Sequence, residues 1–168
     1  SVIRTFGEMK KQGKKVALII TNSNGRRRVD ELKSKLEFGK ECGLDENDFV
    51  FTSLLSTKEI NTESEVSNKV VTELLQLSNL FIFPTIAEVC SNVLLEASMT
   101  KNLVVINEDL PLLLDFVDTN AVLRFPFTSL QNMHYKKGDS DYSDLAEKII
   151  SELEYDKSDL QFRRVWRK

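Results

Sequence analysis

Hydrophobic positions in this chain fall into two alternating patterns. Short runs that are apolar at nearly every position alternate with stretches whose apolar residues recur every three or four positions. The runs are Val16-Ala17-Leu18-Ile19-Ile20-Thr21, Phe49-Val50-Phe51-Thr52, Leu80-Phe81-Ile82-Phe83, Leu103-Val104-Val105-Ile106 and Ala121-Val122-Leu123-Arg124-Phe125. Continuous rather than alternating apolarity predicts strands covered on both faces, the condition of a parallel sheet between helices. The intervening stretches predict helices. Val2, Ile3, Phe6 and Met9 form one stripe, with Gly13 placed to end it. Val29, Leu32, Leu36 and Cys42 form a looser one that stops at Gly43. Thr62 and Glu65 have the spacing of a capping box ahead of Val66, Val70, Leu74 and Leu77. Further helices are expected over 91–101, near 112–117, over 142–153 and over 158–168, while 22–28, 53–61 and 131–143 read as loops. Strand–helix alternation with right-handed crossovers predicts an α/β fold with a doubly wound, Rossmann-like parallel sheet, all five strands parallel and central. Ligands of such sheets bind at the carboxyl ends of the strands.

Composition narrows the picture. The 168 residues suit one domain spanning 1–168, and 41% hydrophobic with 29% charged residues is the balance of a globular protein. A net charge of −3 gives no field toward nucleic acid, so no nucleic-acid partner is expected. No apolar run approaches the roughly 20 residues that span a bilayer, and no charged-then-apolar leader opens the sequence at Ser1. Cys42 and Cys90 lack paired spacing, and one histidine, His134, argues against a structural zinc site or a histidine-based triad. A reducing, cytoplasmic setting fits. The opening residue is not Met, which fits part of a longer polypeptide.

The most informative stretch follows the third strand, where Phe83-Pro84-Thr85 leads through Glu88 to Ser91, Asn92 and Glu96-Ala97. Glu88 falls in the loop at a strand's carboxyl end. A helix beginning near Ser91 offers amides and a positive dipole to an anion. Asn92 and Glu96, four apart, share one face, leaving Val93, Leu94 and Ala97 for the sheet. A ligand with a phosphate at those amides could reach a carboxylate on each side. Eight-residue spacing between two glutamates is uninformative alone; the placement carries the reading.

This stretch resembles the signature of retaining nucleotide-sugar transferases of the GT-B fold, glycosyltransferase family 4: a strand ending Pro-Ser or Pro-Thr, a Glu, seven residues, then Glu-Ala. The likeness continues through Leu103-Val104-Val105-Ile106, Asp109-Leu110-Pro111 and Asp115-Phe116-Val117, and it covers nearly the whole chain as the carboxyl-terminal, donor-binding half. The resemblance implies that Glu88 is the catalytic carboxylate, contacting hydroxyls of the transferred sugar. It implies that Glu96 holds the ribose diol, and that Cys90, Ser91 and Asn92 present amides to the diphosphate or sugar. It implies no covalent protein nucleophile, no cofactor and no required metal, the nucleotide diphosphate sugar being the substrate. The acceptor would meet an amino-terminal domain of the same polypeptide, through which any membrane contact would run.

Two departures qualify the likeness. Val89-Cys90-Ser91 stands where the family often has Gly-Phe-Gly, and Lys101-Asn102 replaces a Cys-Gly-like pair, read as a surface change. A larger departure lies at the front: the family's strand ending Gly-Arg, with a Lys-Gly following, lies outside these residues. The resemblance assigns that Arg and Lys to the leaving diphosphate, so this piece alone is expected to bind donor weakly and not to transfer sugar. A sheet lacking that middle strand should expose apolar edges. Elsewhere Gly25-Arg26-Arg27-Arg28, His134 and the basic end around Arg163, Arg164, Trp166, Arg167 and Lys168 read as solvated surface. The alternative to a transferase is a non-catalytic nucleotide- or sugar-binding module on the same fold. A receiver-like interaction domain is disfavoured for want of an acidic cluster at strand ends.

Overall fold

The structure, a computed structural model, describes residues 2–21, 28–52, 66–88, 91–127 and 141–158. Elements alternate as α1 (Val2–Lys11), β1 (Leu18–Ile20), α2 (Arg28–Glu41), β2 (Phe49–Phe51), α3 (Asn68–Leu77), β3 (Leu80–Phe83), α4 (Asn92–Met99), β4 (Leu103–Asn107), α5 (Pro111–Phe116), β5 (Leu123–Phe125) and α6 (Tyr142–Ser158), with a 3-10 turn at Glu46–Asp48 before β2. The chain is a mixed α/β protein whose strand pairs are all parallel. The five apolar runs each supply a strand, shorter than the run at 18–20, 49–51 and 123–125 and one residue longer at 103–107.

One sheet of five central strands is not what forms among the described residues. The hydrogen-bonded sheets are β1-β2 and β3-β4-β5, and the chain divides into two compact units, Val2–Glu73 and Leu74 onward. Of the described strands, β4 alone has a described neighbour on each side. The reason lies in what an apolar run encodes: a strand's burial, not its partners.

In the first unit α1 packs on α2, bringing Gly7 against the chain just past α2. A Cβ at Gly7 would stand 2.4 Å from the Cys42 carbonyl oxygen, so the approach requires glycine. The Arg4 guanidinium lies 5.4 Å from the centre of the Phe38 ring. Gly13 and Gly43 have φ of +80° and +90°, the left-handed conformation that ends a helix. Phe49 and Phe51, two apart on β2, stack at 5.6 Å and are both buried. Lys10 reaches Asp45 at 2.7 Å and Asp48 at 2.5 Å, and Asp45 and Asp48 also form a capping box around the 3-10 turn. These hydrogen bonds raise the Lys10 pKa and hold the Asp45 carboxyl below its ordinary value.

In the second unit β4 is the core. Val104, Val105 and Ile106 are essentially inaccessible, so both faces are covered, with α4 and α6 packed on the strand. Leu94 and Ala97 from α4, Leu113 from α5, and Leu145, Ala146 and Ile149 from α6 are equally buried. By contrast Leu80, Phe81, Ile82 and Phe83 of β3 are each only half-buried, and β3 pairs on one side alone among the described residues.

Three local expectations need correcting. Helix α3 spans Asn68–Leu77, with the Ser67 hydroxyl accepting the Val70 amide at 3.4 Å, so Val66 lies ahead of it; the capping box expected at Thr62 and Glu65 lies outside the described residues. The inward side chains of α3 are Val70 and Leu75, while Leu77 is exposed. Asn102 is no surface substitution: it is buried, with its amide nitrogen 2.7 Å from the Leu75 carbonyl and 2.9 Å from the Thr100 hydroxyl. Helix α6 runs to Ser158 rather than ending at Leu153, and the expected final helix falls almost wholly outside the described residues.

Candidate functional site

Register fixes where the site must be sought. Phe83 pairs with Ile106, and Asn107 with Phe125, so β3, β4 and β5 end level along one edge of their sheet. The loops leaving that edge are 84–88, the 107–110 turn, and the chain after Phe125. In open parallel sheets this is the edge that receives ligands.

Glu88 lies in the first of these loops, half-buried, five residues beyond β3. Pro84 stops the strand, since it can donate no ladder hydrogen bond. The Thr85 hydroxyl then donates to the Ala87 carbonyl at 2.9 Å, folding the backbone immediately before Glu88. From the other side the Asn107 amide nitrogen donates to the Thr85 carbonyl at 3.0 Å.

Helix α4 opens with Ser91 as its cap. The Ser91 hydroxyl accepts the Leu94 amide at 3.3 Å, and the Ser91 carbonyl accepts the Leu95 amide. Ser91 is buried and its hydroxyl is committed to the helix start; the backbone amides ahead of the capped position, those of Ser91, Asn92 and Val93, are the ones that face an anion at this terminus. Asn92 is exposed and Glu96 half-buried, four residues on, while Leu94 and Ala97 are fully buried and Val93 half-buried. The division of faces read from spacing is thus the one the helix adopts. Cys90 lies outside the described residues, as do Arg26, Arg27, His134 and Trp166; of Arg28 only the backbone, the first residue of α2, is described.

The structure brings Glu88 and the start of α4 to the same edge, with Glu96 in the second turn of that helix. Such an arrangement can do two chemical things. A carboxylate accepts two hydroxyl hydrogen bonds, which suits vicinal diols, and a helix start stabilises an anion between two such groups. Among the described residues no group of three or more His, Cys, Asp or Glu side chains is gathered to hold a metal ion, and no helix is long and apolar enough to cross a membrane.

Sequence reasoning missed Asn107. It follows four apolar residues at the end of β4, yet it is fully buried and hydrogen-bonded to the segments that leave both neighbouring strands. A lone polar residue closing an otherwise apolar run was the available signal.

Compared with known proteins, the chain matches no protein-family model, no curated protein and no solved structure.

Proposed function

We propose that this chain is the donor-binding part of a retaining glycosyltransferase that moves a sugar from a nucleotide diphosphate sugar to an acceptor. One observation carries the reading. Glu88 lies in the loop at the carboxyl edge of a parallel sheet, and Glu96 lies in the second turn of the capped helix that follows, as the Pro84-Thr85…Glu88…Glu96-Ala97 block requires. Glu96, one turn into α4, accepts the ribose hydroxyls while the diphosphate rests on the amides of Asn92 and Val93. Glu88, ahead of the helix, accepts hydroxyls of the transferred sugar near the carbon where positive charge develops. Rate then comes from stabilising that charge and the departing diphosphate in a preorganised site. The half-buried, apolar β3 edge supports the accompanying reading of a doubly wound sheet completed by chain outside these residues.

The test is paired and uses the full-length polypeptide. Glu96→Gln removes charge-assisted hydrogen bonds worth about 1.5–3 kcal/mol, so affinity for uridine or guanosine diphosphate should fall about 10–100-fold. Glu88→Gln should lower turnover more than nucleotide affinity, the mark of an interaction that strengthens in the transition state. Equal loss of nucleotide binding in both variants, or no effect from either, refutes the assignment. Nucleotide binding without donor turnover by the full-length wild type would favour a binding module, for which the glycine-free Val89-Cys90-Ser91 segment already speaks.

A further inference from the structure

The geometry points to Asn107 as the positioning residue of this edge, the group that sets the loop bearing Glu88 against the sheet. A buried asparagine must satisfy two N–H donors and one carbonyl oxygen, and apolar side chains would fill the end of β4 without that demand. Asn107 is fully buried and spends its amide on three separate segments. Its nitrogen donates to the Thr85 carbonyl at 3.0 Å, in the loop after β3. Its oxygen accepts the Asp109 amide at 3.3 Å, in the turn toward α5, and the Phe127 amide at 3.2 Å, beyond β5.

The partners also fix the orientation of the side chain. A carbonyl can only accept and the two backbone amides can only donate, so nitrogen must face Thr85 and oxygen the other two. One planar group thereby joins the exits of all three strands. Because Thr85 in turn donates to the Ala87 carbonyl, the constraint passes from β4 through Thr85 to the residue before Glu88. Preorganisation of a carboxylate demands this kind of support from behind.

The proposal has one part independent of the transferase reading and one that rests on it, and the experiment separates them. Backbone chemical shifts and order parameters are followed in the wild type, Asn107→Asp and Asn107→Ala, with amide exchange as the check on Asp109 and the sheet. The aspartate keeps the acceptor for Asp109 and Phe127 but loses the donor to Thr85; the alanine loses all three bonds. Asn107→Asp should shift the backbone resonances of 85–88 and lower their order parameters while leaving the Asp109 amide protected, and Asn107→Ala should release both segments. Val104, Val105 and Ile106 should stay protected from exchange in each. Faster exchange throughout those three, failure of both variants to fold, or unchanged shifts and order parameters at 85–88 would reduce Asn107 to a stability residue and overturn the proposal. Thr85→Val cuts only the bond to Ala87, at a half-buried surface position, and should reproduce the lower order parameters at Ala87 and Glu88; no change there would break the link from Asn107 to Glu88.

The second part reads donor hydrolysis by the full-length polypeptide with uridine diphosphate glucose and guanosine diphosphate mannose. Asn107→Asp should lower kcat about tenfold with KM for the donor within about twofold, since Glu88 is displaced and Glu96 is not. A parallel rise in KM would refute selective positioning of Glu88. Wild-type protein that neither binds nor turns over these donors would refute the transferase reading and leave the backbone result at 85–88 standing.

Discussion

The two units of the chain use the same alternation of helix and strand and bury their side chains differently. From Leu74 onward the fully inaccessible side chains are mostly aliphatic and gather on and around β4, which has a strand on each side. Among the described residues between Val2 and Glu73 the fully inaccessible large side chains are Thr5 and Thr52, and the apolar core residues, such as Phe6, Leu32 and Phe49, each keep a sliver of exposure. The described strands there, β1 and β2, pair with each other, and Leu18, Phe49 and Phe51 are buried without being enclosed as the β4 side chains are. The first unit adds a close backbone approach at Gly7 and a charged cluster around Lys10. The candidate site belongs to the better-packed unit, where a rigid edge can hold a loop in place.

The largest effect that would break this contrast is in the core. Ile106→Ala should cost about 3–5 kcal/mol and Leu32→Ala nearer 2 kcal/mol, because a fully enclosed side chain leaves a cavity that its surroundings cannot close. Urea unfolding of both variants measures it; equal losses would erase the distinction between the units.

Gly7→Ala should follow, destabilising by about 1–3 kcal/mol, since the clash is with the Cys42 backbone and not with a flexible side-chain end. The same melts read it. A neutral outcome would mean that α1 and the end of α2 part easily.

Thr52→Val tests the first unit from the opposite direction. The Thr52 hydroxyl is buried without a hydrogen-bond partner among the described residues. Replacing it by a methyl group should stabilise by about 1 kcal/mol, read as a raised unfolding midpoint. A loss of stability would show that the hydroxyl has work to do at the end of β2.

The smallest effect is on pH dependence, confined to the Lys10 cluster. A depressed Asp45 pKa adds stability that is complete above its ordinary value of 3.8 and fades as pH falls through the lowered folded value. A raised Lys10 pKa adds stability that is complete below 10.5 and fades as pH rises through the raised folded value. Thermal melts between pH 2 and pH 7 should therefore show a shallower acid limb for Lys10→Met than for wild type. Superimposable limbs would show that these exposed pairs contribute nothing measurable.

Much of the candidate site was legible before any coordinates, because its signals are local. The strand–proline break, the helix start at Ser91 and the shared face of Asn92 and Glu96 each depend on residues within a few positions. Ser67, directly ahead of α3, accepts the Val70 amide through its hydroxyl, an equally local contact. Asn102 and Asn107 were opaque. Each looks like an ordinary loop or turn residue, and each is buried through bonds to segments about twenty residues or more away.

Sequence alone thus determined the order and kind of the elements, the glycines that end α1 and α2, and the inward face of α4, since periodicity and backbone stereochemistry act over one or two turns. Tertiary structure decided the rest: that among the described strands β1 pairs with β2, that β3 pairs on one side while β4 pairs on both, and that one asparagine joins three loops. An apolar run records how strongly a strand avoids water. Leu80-Phe81-Ile82-Phe83 and Leu103-Val104-Val105-Ile106 read alike on that measure, and only neighbours distant in sequence leave the first half-exposed and make the second inaccessible from Val104 on.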